Sequence, residues 1–435
     1  MFLPLSVIVL AISFVLVVIR QIGNVRLQIW QIILGGAIAV LLTGQISVTA
    51  AISYIDPTII VFLIGIFIIG EALTRSGYIQ YLAYRFFRHF RSVDSLVLAI
   101  LFSMGFASMF MLNDTMAIIG TPLVMLFAIK ERISHKLMLL SLAFAITIGS
   151  VASPIGNPQN LLIASSGFVN EPFATFFSTL LIPTLINLLV AYLILKLFFK
   201  SEFRNKQLIH GYVGIKDREL ARLCRFSLVL LGISILFYIV IEIFGFMHNL
   251  SFAYIAIISA LPILLFSKKK VSIVKQIDWS TIVFFIALFV LVGSVWQSGF
   301  FQNITNGLHL DISYVPTVLL ANVIGSQFIS NVPMVLLYLK LLAYTHVTTA
   351  TAMALAAGST IAGNLFILGA ASNVIIVQMA EKRYEKSLSF FDFAKVGIVV
   401  TALNVLIYWA FLNIWGGSNG KDLNLKCIVQ SIRCS

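Results

Sequence analysis

Long apolar runs alternate with short basic loops along nearly the whole chain. Runs of membrane length fall at about 3–19, 29–51, 57–74, 139–165, 174–199, 224–247, 251–267, 279–297, 348–378 and 388–414. Since about 20 apolar residues cross a bilayer, the pattern predicts ten transmembrane helices in an all-α polytopic membrane protein. Two more apolar stretches, 93–129 and 313–343, carry a polar tripeptide in the middle, Asn113-Asp114-Thr115 and Asn331-Val332-Pro333. Each reads as two arms that return the chain to the side it left, a re-entrant hairpin. The run 2–19 lacks a basic leader and a small-residue cleavage site, so it reads as a retained helix.

Each hairpin is followed by a second interruption, Ser153-Pro154-Ile155-Gly156-Asn157-Pro158-Gln159-Asn160 in the first half and Gly369-Ala370-Ala371-Ser372-Asn373 in the second, sharing the spacing Gly-x-x-x-Asn. Backbone groups in lipid must find partners within the protein, so prolines, glycines and a carboxylate at membrane depth belong where the chain is packed or lines a cavity. Two broken segments at matching positions in two halves point to a transporter binding site. The halves also match without gaps from Asp56 to Gly77 (DPTIIVFLIGIFIIGEALTRSG) and from Asp278 to Gly299 (DWSTIVFFIALFVLVGSVWQSG), with 8 of 22 positions identical. Five spans lie between the copies, an odd number, so the spacing predicts two inverted repeats.

Composition agrees: 60% of the 435 residues are hydrophobic and 10% charged, and mean hydropathy is +1.04, against roughly 25% charged in soluble domains. The net charge of +13 does not imply nucleic acid as a partner, because the basic residues sit in loops. Placing loops alternately puts 25 of the 29 Lys and Arg residues on one face, leaving Lys340, Lys421, Lys426 and Arg433 on the other. The positive-inside rule then predicts a cell-membrane protein with both termini outside. The expected organisation is a first repeat over 1–200 (helices 1–5, hairpin 93–129 from the cytoplasmic side), a charged cytoplasmic linker over 201–223, a second repeat over 224–415 (helices 6–10, hairpin 313–343 from the outer side) and a tail over 416–435. Cys224, Cys427 and Cys434 form neither a metal pattern nor a disulfide framework, with a Cys427–Cys434 bridge or free thiols both open. Asn249 and Asn303 begin N-x-Ser/Thr sequons on the outer side.

These motifs resemble the ion transporter superfamily, which includes arsenite efflux permeases, citrate-type carriers, sodium/dicarboxylate symporters and certain sodium/proton antiporters. The resemblance covers roughly 25–415. It rests on the tips Leu112-Asn113-Asp114-Thr115 and Ser330-Asn331-Val332-Pro333 and on Gly156-Asn157-Pro158-Gln159-Asn160, matched with the proline lost by Gly369 to Asn373. The acidic Asp114 resembles the arsenite-permease and antiporter branches more than the dicarboxylate branch. The resemblance implies a secondary transporter without a cofactor, embedded in the lipid bilayer and carrying a small anion or oxyanion-related solute. It leaves open a homodimer and, as in arsenite permeases, a separate ATPase subunit.

Candidate site residues are Asn113, Asp114, Thr115, Ser153, Gly156, Asn157, Asn160, Ser330, Asn331, Asn364, Gly369, Ser372 and Asn373. No Lys or Arg falls mid-span, so an anion would be held by helix dipoles, Asn, Ser and Thr. Capping of broken helices is the other reading of the asparagines. Asp114, with Asn113 and Asn331, is the candidate for a coupling proton or sodium ion, its acidity tuned by desolvation; an N-cap exposed to water is the alternative. Asp56 and Asp278 read as N-caps, and Glu71 as an ion-pair partner of Arg75 at i+4. Thr121, Ser150, Ser326 and Thr360 either line the cavity or bond back to their own helices. A cation/proton antiporter is the nearest rival function and a passive channel a more distant one. The spans hold no nucleophile with its base, no metal cluster and no phosphate loop, which argues against an enzyme.

Overall fold

A computed structural model describes residues 3–19, 21–22, 25–26, 28–87, 89–203, 214–244, 251–300, 311–343, 345, 347–386 and 388–418. Cys427, Cys434, the sequons at Asn249 and Asn303, and residues 204–213 of the expected linker lie outside them, as does the side chain of Glu242. The described chain is helical apart from a two-residue antiparallel ladder, Gln21–Ile22 with Val25–Arg26. In order the helices are α1 Leu5–Ile19, α2 Ile29–Leu42, α3 Val48–Tyr54, α4 Pro57–Ser76, α5 Tyr78–Phe87, α6 Val93–Ser108, α7 Asn113–Lys130, α8 His135–Gly149, α9 Pro158–Ser165, α10 Pro172–Phe198, α11 Arg218–Phe244, α12 Phe252–Phe266, α13 Lys270–Gln276, α14 Trp279–Gln297, α15 Val315–Ile329, α16 Asn331–Leu342, α17 Thr349–Ile361, α18 Ala371–Tyr384 and α19 Phe390–Ser418.

Local chemistry sets the ends of these helices. Asp56 caps α4, accepting from Thr58 N at 2.8 Å, with Pro57 at the first helical position; Gly77 closes the helix in the left-handed region at φ +68°. Asp278 caps α14 through Thr281 N. Three expected boundaries shift. The run 29–51 is two helices, because Gly44 turns the chain at φ +68° and Ser47 caps α3. Positions 218–223 of the expected linker are already the first turns of α11. The short helices α5 and α13 occupy stretches read as loops. Among the described residues, α4, α10, α11, α14, α19 and the segment His135–Ala152 are long and apolar enough to cross a membrane; α1, α2, α6, α12, α15 and α16 are apolar but shorter.

The helices pack as two bodies, each drawing on both halves of the sequence. In one, α4 lies on α12 and α11, and α14 on α2; in the other, α6 lies on α8, α7 on α18, α15 on α17 and α10 on α19. A very tight crossing is at Gly149, where a Cβ would come within 2.2 Å of the Gly105 carbonyl oxygen, so α8 tolerates no side chain there. The matched helices α4 and α14 run antiparallel. Arg75 at the end of α4 donates to Ser272 Oγ at 2.8 Å, just before α14 begins. Tyr54, just before α4, shares the Lys340 ammonium with Trp296 at the end of α14, at 5.4 and 5.9 Å from the ring centres.

A polar clasp closes the Arg75 end. Glu71 pairs with Arg75, Lys216 N and Asp217 N both donate to Ser76 O, and Asp217 caps α11 while binding Lys269 Nζ at 2.6 Å. The Lys269 hydrogen bond, helped by the Leu220 N–H, holds the Asp217 carboxyl below the usual carboxylate range. A depressed native value means that the stabilisation is present above the unfolded value, about 3.9, and is lost as pH falls through the native one. Asp217→Asn keeps the cap and loses the pair. It should lower stability at pH 7 by no more than about 1 kcal/mol, and the difference from wild type in thermal melts should shrink as pH falls below the unfolded value and vanish only once pH is below the depressed native one.

Candidate functional site

Both hairpins turn sharply at their polar tips. The first uses residues 109–112 between α6 and α7. The second uses Ser330 alone, at φ +68° and ψ 159°, a region that only glycine enters easily and that costs other residues on the order of 1–3 kcal/mol. In that conformation α16 starts at Asn331 directly behind α15.

Asparagine amides replace the missing helix bonds at the first break. Asn160 Nδ2 donates to the carbonyls of Ser150, Val151 and Ser153 at 3.1, 3.3 and 3.0 Å, and Asn157 caps α9 by accepting from Asn160 N at 2.8 Å. Gly156 is held among backbone: a Cβ there would lie 2.7 Å from Ser150 O and 2.8 Å from Ser108 O. At the second break Asn373 Nδ2 donates to Gly363 O at 2.6 Å. Asn160 and Asn373, Gly156 and Gly369, and Thr147 and Thr360 are each 213 positions apart. Thr360 joins the breaks, its hydroxyl accepting from Asn157 Nδ2 and donating to Asn160 Oδ1, both at 3.2 Å. Its counterpart Thr147 and Asn373 Oδ1 are both buried without partners.

Between the two bodies lies a cavity of about 930 Å³. Six of the thirteen candidate residues line it: Asn113 and Asp114 from the first tip, Asn157 from the first break, Ser330 and Asn331 from the second tip, and Ser372 from the second break. The other seven do not. Thr115 packs against Gly70, Ser153, Gly156, Asn160, Gly369 and Asn373 build the breaks, and Asn364 donates to Asn404 Oδ1 at 3.2 Å in a buried chain that continues to Asn187. The amide groups of Asn160 and Asn373 donate to backbone carbonyls, and Ser153 Oγ accepts from Ile155 N at 3.3 Å. Of the undecided hydroxyls, Thr121 and Ser150 bond back to Ala117 O and Thr147 O, Thr360 bridges the breaks, and Ser326 is buried outside the cavity without a partner.

The opposite wall and rim come from residues that the pattern did not single out, Gln28, Trp30, Thr281, Phe285, Gln378 and Glu381, and from Asp278 beyond its capping role. The floor is buried, whereas Gln28, Asp278, Gln378 and Glu381 are exposed. Asp278 had a signal, since it opens the repeated segment; Trp30 and Glu381 had none. Three carboxylates line the cavity, those of Asp114, Asp278 and Glu381, and among the described residues no Lys or Arg does. Asn113 Oδ1, Asn331 Oδ1 and Ser372 Oγ are buried without partners. With Asp114 they form a set of hard oxygen donors of the kind that suits a small cation. No group of three His, Cys, Asp or Glu that could hold a metal occurs among the described residues.

A solute-sized cavity between helical bodies, lined by paired hairpin tips and broken helices, defines an integral membrane transporter. The sequence profile of the citrate transporter family, CitMHS, matches residues 14–352, and the chain belongs to that family. Among its relatives, the silicon efflux transporter LSI3 of Oryza sativa subsp. japonica is 24% identical, covering 85% of this chain and 90% of its own. The putative transporter arsB of Dictyostelium discoideum is 19% identical over 68% and 71%. In fold the chain is similar to the YdaH transporter of Alcanivorax borkumensis, with a TM-score of 0.56 at 13% identity over 95% of this chain and 96% of that one.

The Asn160 amide serves three carbonyls of the broken segment, of which Ser150 O and Ser153 O otherwise receive long backbone donations from Ser153 N at 3.4 Å and Gly156 N at 3.5 Å. Asn160→Leu is therefore expected to cost about 3 kcal/mol or more, read as a lowered melting midpoint. Ser330→Gly removes the backbone strain and should raise the midpoint.

Proposed function

We propose that the chain is a secondary active transporter of a small anion or oxyanion-related solute, working by alternating access around the central cavity. Ten spans in two inverted repeats, 1–200 and 224–415, joined by the linker 201–223, each supply a re-entrant hairpin and a discontinuous helix. The observation that carries this reading is one cavity that takes both tips and both breaks on one side and a different packing body on the other. A solute held there touches both bodies, and their relative movement can transfer the opening from one face to the other. The rim residues Gln28, Asp278 and Glu381 adjoin the basic loops that the charge skew assigns to the cytoplasm, so the conformation is open inward.

Three carboxylates, with no Lys or Arg among the described lining residues, make this cavity a poor host for a free polyanion. The solute is better matched by a hydroxylated oxyacid carried in a neutral form, held by Asn113, Asn157, Ser330, Asn331 and Ser372. Asp114, with Asn113 and Asn331, holds the coupling proton or sodium ion. The same acidic lining favours a second reading, a cation/proton antiporter.

Reconstituted liposomes separate the two. Saturable uptake of labelled arsenite, silicic acid or citrate supports the first, and sodium-dependent proton movement without solute uptake supports the second. Flux that never saturates would indicate a channel and overturn both. Asp114→Asn should abolish accumulation against a gradient while downhill exchange persists; unchanged accumulation and pH dependence would remove Asp114 from coupling.

A further inference from the structure

Asp56 and Asp278 occupy the same position in the matched helices α4 and α14, and each caps its helix. Asp56 accepts from Thr58 N at 2.8 Å, and Asp278 from Thr281 N at 3.1 Å and Thr281 Oγ1 at 2.6 Å. Capping alone does not call for a charge, since Ser, Thr or Asn caps as well. Nor does it explain where Asp278 sits. It stands on the rim of the cavity that Asp114 also lines.

The same cavity is lined by residues whose oxygen atoms are buried without donors: Asn113 Oδ1, Asn331 Oδ1 and Ser372 Oγ, on residues only 8%, 6% and 2% exposed. The other charged group facing the pair is Glu381 on α18. Charges on the surrounding elements are engaged elsewhere or stand away in solvent. Glu71 pairs with Arg75, and Lys136 with Asp392; Lys340 lies over the Tyr54 and Trp296 rings; Arg85, Lys130 and Lys275 are exposed. Carboxylates sharing one cavity with spare oxygen ligands, and with no Lys or Arg among the described lining residues, form a path that a cation stabilises.

Asp56 lies at the other end of this geometry. The Lys340 contact places Tyr54 beside Trp296, at the far end of α14 from Asp278, about 28 Å away along a 19-residue helix. We propose that Asp278 is the inner relay carboxylate of the coupling cation, passing it between the cytoplasm and Asp114, and that Asp56 is its outer counterpart, taking the same part when the cavity opens to the other face. The relay rests on the transporter reading above. Its ligand is a small monovalent cation, a proton or sodium.

The test uses the full-length protein reconstituted in vesicles, with wild type, Asp278→Asn and Asp56→Asn compared. Asparagine preserves the cap, and Asp278→Ser and Asp56→Ser replace any asparagine variant that melts early. Fluxes of labelled arsenite, silicic acid, citrate and sodium, and of protons, are followed while pH or sodium is varied on one face at a time. The readout is the ratio of the half-saturating cation concentration at the inner face to that at the outer face. Asp278→Asn should raise this ratio about tenfold, and Asp56→Asn should lower it about tenfold, the scale expected from removing one nearby charge. A change confined to the pH arm or to the sodium arm supports the relay and names the ion. If wild type transports a probe but the ratio is unmoved in both variants, or moves the same way in both, the relay is wrong and the transporter reading stands. If wild type moves none of these probes, the transporter reading fails and the relay fails with it.

Discussion

Everything in this molecule follows from the demand that a backbone away from water keep its hydrogen bonds. A continuous helix meets that demand by itself but offers a solute nothing except side chains. Breaking the helix releases amides and carbonyls for binding, and each break must then be repaired locally. Asn160 does so with one amide on three carbonyls, and Asn373 does so more sparingly with one carbonyl at 2.6 Å. Gly156, wedged between Ser150 O and Ser108 O, shows how closely the repair is fitted. The asparagines that look like binding residues in the sequence are divided by this constraint between mending the chain and facing the solute.

The repair is also what joins the halves. Thr360, late in the sequence, completes the polar set of Asn157 and Asn160, so hydrogen bonds tie the first break to α17. The mirror contact is unmade, with Thr147 Oγ1 and Asn373 Oδ1 buried and unpartnered. Corresponding positions of the two breaks are thus bonded differently in this structure.

Much of this was legible in the sequence, because apolar periodicity, punctuation by proline and glycine, and repetition are all local signals. The hairpin arms, the breaks and the match of α4 with α14 are each visible over a few turns of chain. The division of labour among the thirteen candidates was not. Whether Asn157 faces a cavity while Asn160 turns inward depends on the packing of α9 against its neighbours, which no spacing encodes. The far wall was hidden for the same reason: Trp30 and Phe285 acquire a place in the site only because α2 and α14 pack opposite the tips. Asp278 was visible as a cap and obscure as a cavity residue, one carboxylate filling both positions.

The closed face completes the argument. At the end of α14 opposite the rim, the second hairpin meets the other body through Lys340, half-buried over Tyr54 and Trp296. A cation over aromatic rings contributes about 0.5–2 kcal/mol. A buried ion pair in the same place would resist separation more strongly, since parting it strands two charges in a medium that cannot solvate them. On the transporter reading this face must open once in every cycle, and a contact of modest strength that leaves a single charge to rehydrate suits that task. On the same reading the cavity follows that economy, its charges being carboxylates with no Lys or Arg among the described lining residues.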